Sequence, residues 1–126
     1  MTIGALLALL AIQTMPSPAL DRWEPTGSNS QGETAIDPQS IRRAGDEVTV
    51  VVRTRIHRSS TGQPAIAVMR NRYNCRANTG RMELADIYHG DGTFIDTSPA
   101  NGTPEPIPPG SPNAAVRARI CQRPAQ

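Results

Sequence analysis

Two cysteines, one of them set among arginines, are the residues of this sequence best suited to chemistry. Cys75 lies in the stretch RNRYNCRANTG, residues 70–80, and Cys121 lies near the end of the 126-residue chain. A cysteine with basic neighbours could be an activated nucleophile, a metal ligand or half of a disulfide. Each of these possibilities implies a different kind of protein.

The beginning of the chain indicates the compartment in which the cysteines function. An apolar run from Ile3 to Ile12 is too short to span a bilayer and is followed by the small residues Ser17 and Ala19. This pattern is typical of a secretory leader, with only the α-amino group supplying positive charge before the run. We expect a signal peptide over residues 1–19, cleaved after Ala19, and an exported domain over residues 20–126. Because no cysteine lies near the cleavage point, we expect no stable membrane anchor once the leader is removed.

Export favours a disulfide between Cys75 and Cys121, because an even pair of cysteines usually oxidises outside the cytoplasm. The alternatives are a pair of free buried thiols and a reactive thiol. In a strand over residues 65–76, Cys75 shares one face with Tyr73, and the neighbouring arginines project from the other. Those arginines are therefore poorly placed to lower the pKa of the thiol.

A second group of chemically capable residues is Asp86, His89 and Asp91. Two carboxylates and an imidazole within six residues could hold a divalent cation or supply a general base. Asp91 stands between two glycines, however, which is typical of an aspartate that shapes a turn. We regard the three as weak metal candidates and expect no catalytic residues, no cofactor and no enzymatic activity.

A basic face is the candidate binding feature of the sequence. Residues 47–57 and 65–76 alternate between apolar and polar side chains, as half-buried strands do. If these strands pair antiparallel, one surface carries five arginines: Arg53, Arg55, Arg70, Arg72 and Arg76. Guanidinium groups bind carboxylates, sulfates and phosphates, which predicts a protein or acidic polysaccharide partner. The alternative is a solvated face that maintains solubility.

Nucleic acid is not expected as the partner of this basic face. The net charge is only +2, and aromatic residues, on which bases would stack, make up 3% of the chain. Export would also separate the protein from the usual nucleic acids of the cell. The predicted surface therefore favours acidic proteins or polysaccharides.

The elements that position these residues predict a single small α+β domain. Besides the two strands above, we expect a short strand over residues 34–37 and a hairpin over residues 79–96, with a turn at residues 90–92 and a bulge near Asp86. Residues 20–31 are predicted to be turn-like, with Trp23 as an anchor. Residues 96–112 are predicted to form a long surface connection.

A short C-terminal helix completes the predicted domain. Ser111 is a plausible N-cap, Pro112 suits the first helical position, and Val116 and Ile120 lie one turn apart. The sequence thus predicts a small antiparallel sheet of about four to six strands with this helix packed on one face and one disulfide.

The order of these motifs resembles the bacterial surface-adhesin protein E-like domain over Trp23 to Cys121. The resemblance rests on Trp23 and on AIDPQSI, RYNCR, RMELADIYHGDG, PPGS and VRARICQ at residues 35–41, 72–76, 81–92, 108–111 and 116–122. It implies a bridged cysteine pair and an exported, non-enzymatic protein, periplasmic or on the cell surface, that adheres to host or envelope macromolecules. This chain departs from the family in lacking a leader cysteine and in having Glu105-Pro106 where an aromatic residue is expected. The alternative is a periplasmic inhibitor or envelope-complex accessory protein that acts through the 98–110 loop.

Overall fold

A computed structural model describes residues 15–99 and 102–122, so that most of the predicted leader lies outside the described residues. The described chain forms eight strands, a 3-10 turn over Pro38–Ser40 and one helix. The strands are β1 (Glu24–Asn29), β2 (Gly32–Ile36), β3 (Arg42–Ala44), β4 (Glu47–Ile56), β5 (Ala65–Asn74), β6 (Thr79–His89), β7 (Phe94–Pro99) and β8 (Glu105–Pro106), and the helix is α1 (Pro112–Ile120).

All the strands belong to one antiparallel sheet, which confirms the predicted fold class. The order along the sheet is β1-β2-β4-β5-β6-β7, with β3 paired to β4 and β8 paired to β6. Strands β4 and β5 form its centre and pair over ten residues, from Glu47 opposite Asn74 to Ile56 opposite Ala65. No helix within the described residues is long and apolar enough to cross a bilayer.

The helix packs on one side of the sheet, which we call the helix face. Val48, Val50 and Val52 of β4 project towards it, and Val116 and Ile120 of α1 are fully buried against them. The helix begins as predicted, because the Ser111 side chain accepts a hydrogen bond from the Ala114 N–H at 3.1 Å and Pro112 occupies the first turn.

The predicted disulfide is confirmed between Cys75 and Cys121. Cys75 directly follows β5 and Cys121 directly follows α1, and both side chains pack against the core cluster. A second tie lies nearby, where the Arg117 guanidinium donates to the Cys75 carbonyl at 2.7 Å. The bridge therefore fastens the end of the helix to the end of a central strand.

Two stretches predicted to be irregular form strands. Residues 24–29 form β1, because pairing with β2 satisfies the backbone of a segment whose composition is turn-like. In the proline-rich connection, Glu105 and Pro106 pair with β6, and Ile107 is only 5% exposed. The connection is therefore anchored in the core rather than lying wholly on the surface.

The bulge in β6 lies earlier than predicted. Arg70 pairs with Leu84 and Asn71 with Met82, which leaves Glu83, rather than a residue near Asp86, as the extra residue opposite β5. A second irregularity falls between Ile87 and Tyr88, in the pairing of β6 with β7. The predicted turn at residues 90–92 is present, closed by a hydrogen bond from the His89 N–H to the Thr93 carbonyl.

Tyr73 provides a pH-dependent contribution to stability at the helix face. Its hydroxyl accepts from Asn71 Nδ2 at 3.0 Å and donates to Asn113 Oδ1 at 2.8 Å. Burial raises the pKa of Tyr73 from 10.0 to about 12. Because the native state holds this proton more tightly than the unfolded chain, the stabilisation is complete below about pH 10 and is lost as the pH rises through about 12.

We therefore expect the free energy of unfolding to fall by about 2 kcal/mol more in the wild type than in Tyr73→Phe between pH 10 and pH 12. Urea unfolding at intervals across this range measures the difference. Parallel pH profiles for the two proteins would contradict the assigned shift in the pKa of Tyr73.

Candidate partner-binding surface

The side of the sheet opposite the helix, which we call the far face, carries four of the five predicted arginines. Thr49 pairs with Arg72, Val51 with Arg70, Arg53 with Val68 and Arg55 with Ile66. Paired residues project from the same side of a sheet, so that Arg53, Arg55, Arg70 and Arg72 share the far face. Arg76 lies beyond the end of β5, where it is exposed in the turn that leads to β6.

Arg53 and Arg55 lie in different surroundings from the other two. The Arg53 guanidinium lies over the Trp23 ring, 5.1 Å from its centroid, and donates to the Pro18 carbonyl at 3.2 Å. Burial lowers the pKa of Arg53. The Arg55 guanidinium lies 3.9 Å from the Glu33 carboxylate, and both side chains are about half exposed.

Arg70 and Arg72 converge on the carboxylate of Glu83. Their Nε atoms lie 3.4 Å and 3.0 Å from it, and an Nη atom of Arg81 lies 3.6 Å away. Arg72 also approaches Glu47 at 3.6 Å. The bulge at Glu83 thus gathers three guanidinium groups around one carboxylate that is largely shielded from solvent, and their positive charge is only partly neutralised.

These arginines line two adjoining clefts of about 850 Å³ and 560 Å³, which share Thr49 and Arg70. Two carboxylates, Asp37 and Glu83, also line them. We call the pair of clefts the arginine groove and define it by Arg22, Arg42, Arg70, Arg72 and Arg81.

Arg22 and Arg42 differ in how far they are neutralised. Arg22 donates two hydrogen bonds to the buried carboxylate of Asp37, at 2.8 Å and 3.0 Å, and these bonds hold the pKa of Asp37 below its usual range. Arg42 donates to the Gln39 and Ile41 carbonyls, each at 2.9 Å. Within the described residues, no carboxylate lies within 4.0 Å of Arg42. Arg42 is therefore the groove residue whose charge is most available to a partner.

The alternation of apolar and polar residues along β4 and β5 did not identify three arginines of the arginine groove. Arg22 precedes β1, Arg42 belongs to β3, and Arg81 lies on β6. Their positions depend on strand pairing and on the Glu83 bulge, neither of which alternation within β4 and β5 reports. One local signal could have indicated such an arginine. A buried aspartate at the end of a strand requires a cationic or N–H partner, and an arginine can supply it.

The weak metal candidates are not brought together. Asp86 accepts a hydrogen bond from the Thr97 hydroxyl at 2.8 Å, and Asp91 accepts from the Thr93 N–H at 2.9 Å. Asp86 and His89 are three residues apart on β6 and so project from opposite faces. Residues 15–99 and 102–122 contain no group of three histidine, cysteine, aspartate or glutamate side chains arranged to hold a metal ion.

A comparison with protein families provides one match. The family model described as surface-adhesin protein E matches residues 23–122. The match includes every described strand, the helix and both cysteines, and it confirms the resemblance seen in the sequence. No curated protein and no solved structure matches the chain.

Proposed function

This chain belongs to the surface-adhesin protein E family, and from that membership we propose that it is an exported, non-enzymatic adhesion module whose arginine groove binds an acidic macromolecule. The observation that carries the proposal is that five guanidinium groups line one groove, whose lining among the described residues includes two carboxylates. Of the five arginines in the predicted basic face, the arginine groove includes only Arg70 and Arg72. Its other three arginines come from other elements.

The chemistry of the arginine groove favours a polymeric anion. A guanidinium group offers paired N–H donors that match carboxylate or sulfate oxygens. Arg70 and Arg72 project from a central strand that is paired on both sides, which limits the entropy lost when a ligand binds. An acidic polysaccharide, or an acidic protein segment, could contact several of these groups along one groove.

Export is part of the same proposal. The apolar run at residues 3–12, the disulfide and the surface-adhesin family all support export to the periplasm or the cell surface. The small residues Ser17 and Ala19 support cleavage before Leu20. In that setting the partner is an envelope or host macromolecule.

A charge-matched pair of variants tests the groove. Arg42→Gln/Arg70→Gln/Arg72→Gln is expected to weaken binding to immobilised heparin, a sulfated polysaccharide, by at least about tenfold at about 0.15 M salt. The control, Arg55→Gln/Arg58→Gln/Arg76→Gln, removes the same charge from exposed residues outside the groove. It should retain most of the affinity, as measured by surface plasmon resonance on proteins with matching thermal unfolding curves.

Two results would contradict this proposal: no saturable binding at physiological salt, or equal losses in the two triple variants. Equal losses would indicate nonspecific attraction to net charge. Capture of an envelope protein would favour the inhibitor or accessory role under two conditions. The groove variant must retain the capture, and replacement of Pro108–Gly110 must abolish it. The replacement must leave Ile107 in place, because its burial anchors the loop.

A further inference from the structure

Residues 15–19 lie on the far face as a bound peptide would. Met15 and Pro16 line the 850 Å³ cleft of the arginine groove. Ser17, Pro18 and Ala19 line a separate cavity of about 490 Å³, whose other walls include Glu33, Arg55 and Ile66. The segment thus lies between two cavities, and its Pro18 is buried.

Arg53 binds this segment, and Trp23 lies against Arg53. The Arg53 Nη1 donates to the Pro18 carbonyl at 3.2 Å, and the same guanidinium stacks on the Trp23 ring. Pro18 and Ala19 are the central residues of a turn, closed by the Leu20 N–H, which donates to the Ser17 carbonyl at 3.1 Å. A main-chain carbonyl next to a proline ring is therefore the group recognised at this place.

Trp23 and Arg53 also offer N–H donors beyond the one that binds Pro18. Trp23 Nε1 and Arg53 Nε are both buried, and neither has a hydrogen-bond partner among the residues that the structure describes. A buried donor without an acceptor is costly. Residues 15–19 supply one carbonyl to a place that offers further N–H groups, so that a ligand with better-placed carbonyls would bind more favourably.

An aromatic side chain that combines a ring with an N–H donor suits a turn that contains proline. Proline restricts the backbone at the second position of a turn, so that such a turn loses little conformational entropy on binding, and its ring can pack against an aromatic side chain. Trp23 offers both the ring and the indole N–H, and Arg53 adds a fork of donors beside it. The chemistry at Trp23 and Arg53 matches this class of ligand rather than a free anion.

We propose that removal of residues 1–19 vacates this place, and that the exported chain then binds there a proline-containing turn of a partner protein. The inference rests on the leader cleavage that forms part of the proposed function. In the precursor, Ser17-Pro18-Ala19 occupies the place and blocks it. In the exported chain, the Arg53 guanidinium loses its contact with Pro18, and the vacated strip joins the space walled by Glu33, Arg55 and Ile66.

The chain's own segment provides the probe. The acetylated and amidated peptide MPSPA, residues 15–19, is titrated into the exported chain, residues 20–126, by isothermal titration calorimetry. Saturable binding is expected, accompanied by a change in the fluorescence of Trp23, the single tryptophan. The peptide MPSGA, which lacks the second proline, and a chain that begins at Met15 should each show binding weakened by about tenfold or more.

Variants of the recognition pair complete the test. Arg53→Gln and Trp23→Phe should each weaken peptide binding by about tenfold or more, whereas the exposed Arg58→Gln should leave it unchanged. Trp23→Phe retains an aromatic ring and so keeps the test valid if Arg53→Gln fails to fold. Thermal unfolding of each variant reports on folding.

Three results would overturn this inference. One is an exported chain that still carries residues 15–19. Another is equal affinity of the peptide for chains beginning at Met15 and at Leu20, which would locate binding elsewhere. The third is no binding of MPSPA to a folded chain that still binds heparin through the arginine groove, which would leave the proposed function standing and remove only the peptide site.

Discussion

Replacement of both cysteines, Cys75→Ala together with Cys121→Ala, is expected to lower the free energy of unfolding by about 4 kcal/mol. The disulfide joins residues 46 positions apart, and closing a loop of that length restricts the unfolded chain. Small domains are stable by only about 5–15 kcal/mol in total. Loss of the bridge would therefore remove a large share of the stability of this one.

Urea unfolding at neutral pH measures this loss by comparing the oxidised wild type with the double variant. Wild-type protein reduced with dithiothreitol provides the control, because it should unfold at nearly the same urea concentration as the variant. A difference below about 1 kcal/mol between oxidised wild type and variant would contradict a stabilising role for the bridge, since native disulfides in small secreted domains typically contribute about 2–5 kcal/mol.

The second large effect is expected from Ile120→Ala at the end of the helix. Ile120 is fully buried in the core cluster with Val116 and Tyr73. Truncation of a buried isoleucine to alanine costs about 2–5 kcal/mol, because apolar contacts are lost and a cavity remains. A helix of nine residues is too short to be stable alone, so its contacts with the sheet largely determine whether it forms.

Ile95→Ala is the matched control for this change. Ile95 lies on the edge strand β7 and is 47% exposed, so that the same substitution removes few buried contacts. We expect a loss within about 0.5 kcal/mol, measured by the same urea unfolding experiment. Similar losses for Ile120→Ala and Ile95→Ala would show that the helix does not pack on the sheet as described.

The central strands and the helix could be predicted because their residues carry local signals. In β4, alternation of Val48, Val50 and Val52 with polar residues reports a half-buried strand whatever its neighbours are. The N-cap Ser111 and the following Pro112 likewise mark a helix start independently of the rest of the fold. The order of the strands in the sheet had no such local signal.

Strands that depend on a neighbour could not be predicted in this way. Residues 24–29 are polar and include a proline and a glycine, and they become a strand because β2 supplies hydrogen-bond partners. β8 is only two residues long and exists through its pairing with β6. Propensity along the chain cannot report these pairings, because the stabilising groups lie far away in sequence.

The binding surface was predicted only in part for the same reason. Alternation correctly placed Arg70 and Arg72 on one face. It could not show that Arg53 lies beneath Trp23 and Pro18, because residues before β1 fold back onto the far face. Nor could it show that Arg42 and Arg22 join the groove from the other side. A site assembled from several elements requires the tertiary fold.

The central claim is that this chain works outside the cytoplasm as a disulfide-linked binding domain freed of its leader. The intact mass of the protein recovered from its own host, with and without reduction and alkylation, tests that claim most directly. We predict the mass of a chain beginning at Leu20, with no thiol that can be alkylated before reduction and two afterwards. An uncleaved chain with two freely alkylated cysteines would contradict export, the bridge and the vacated peptide site together.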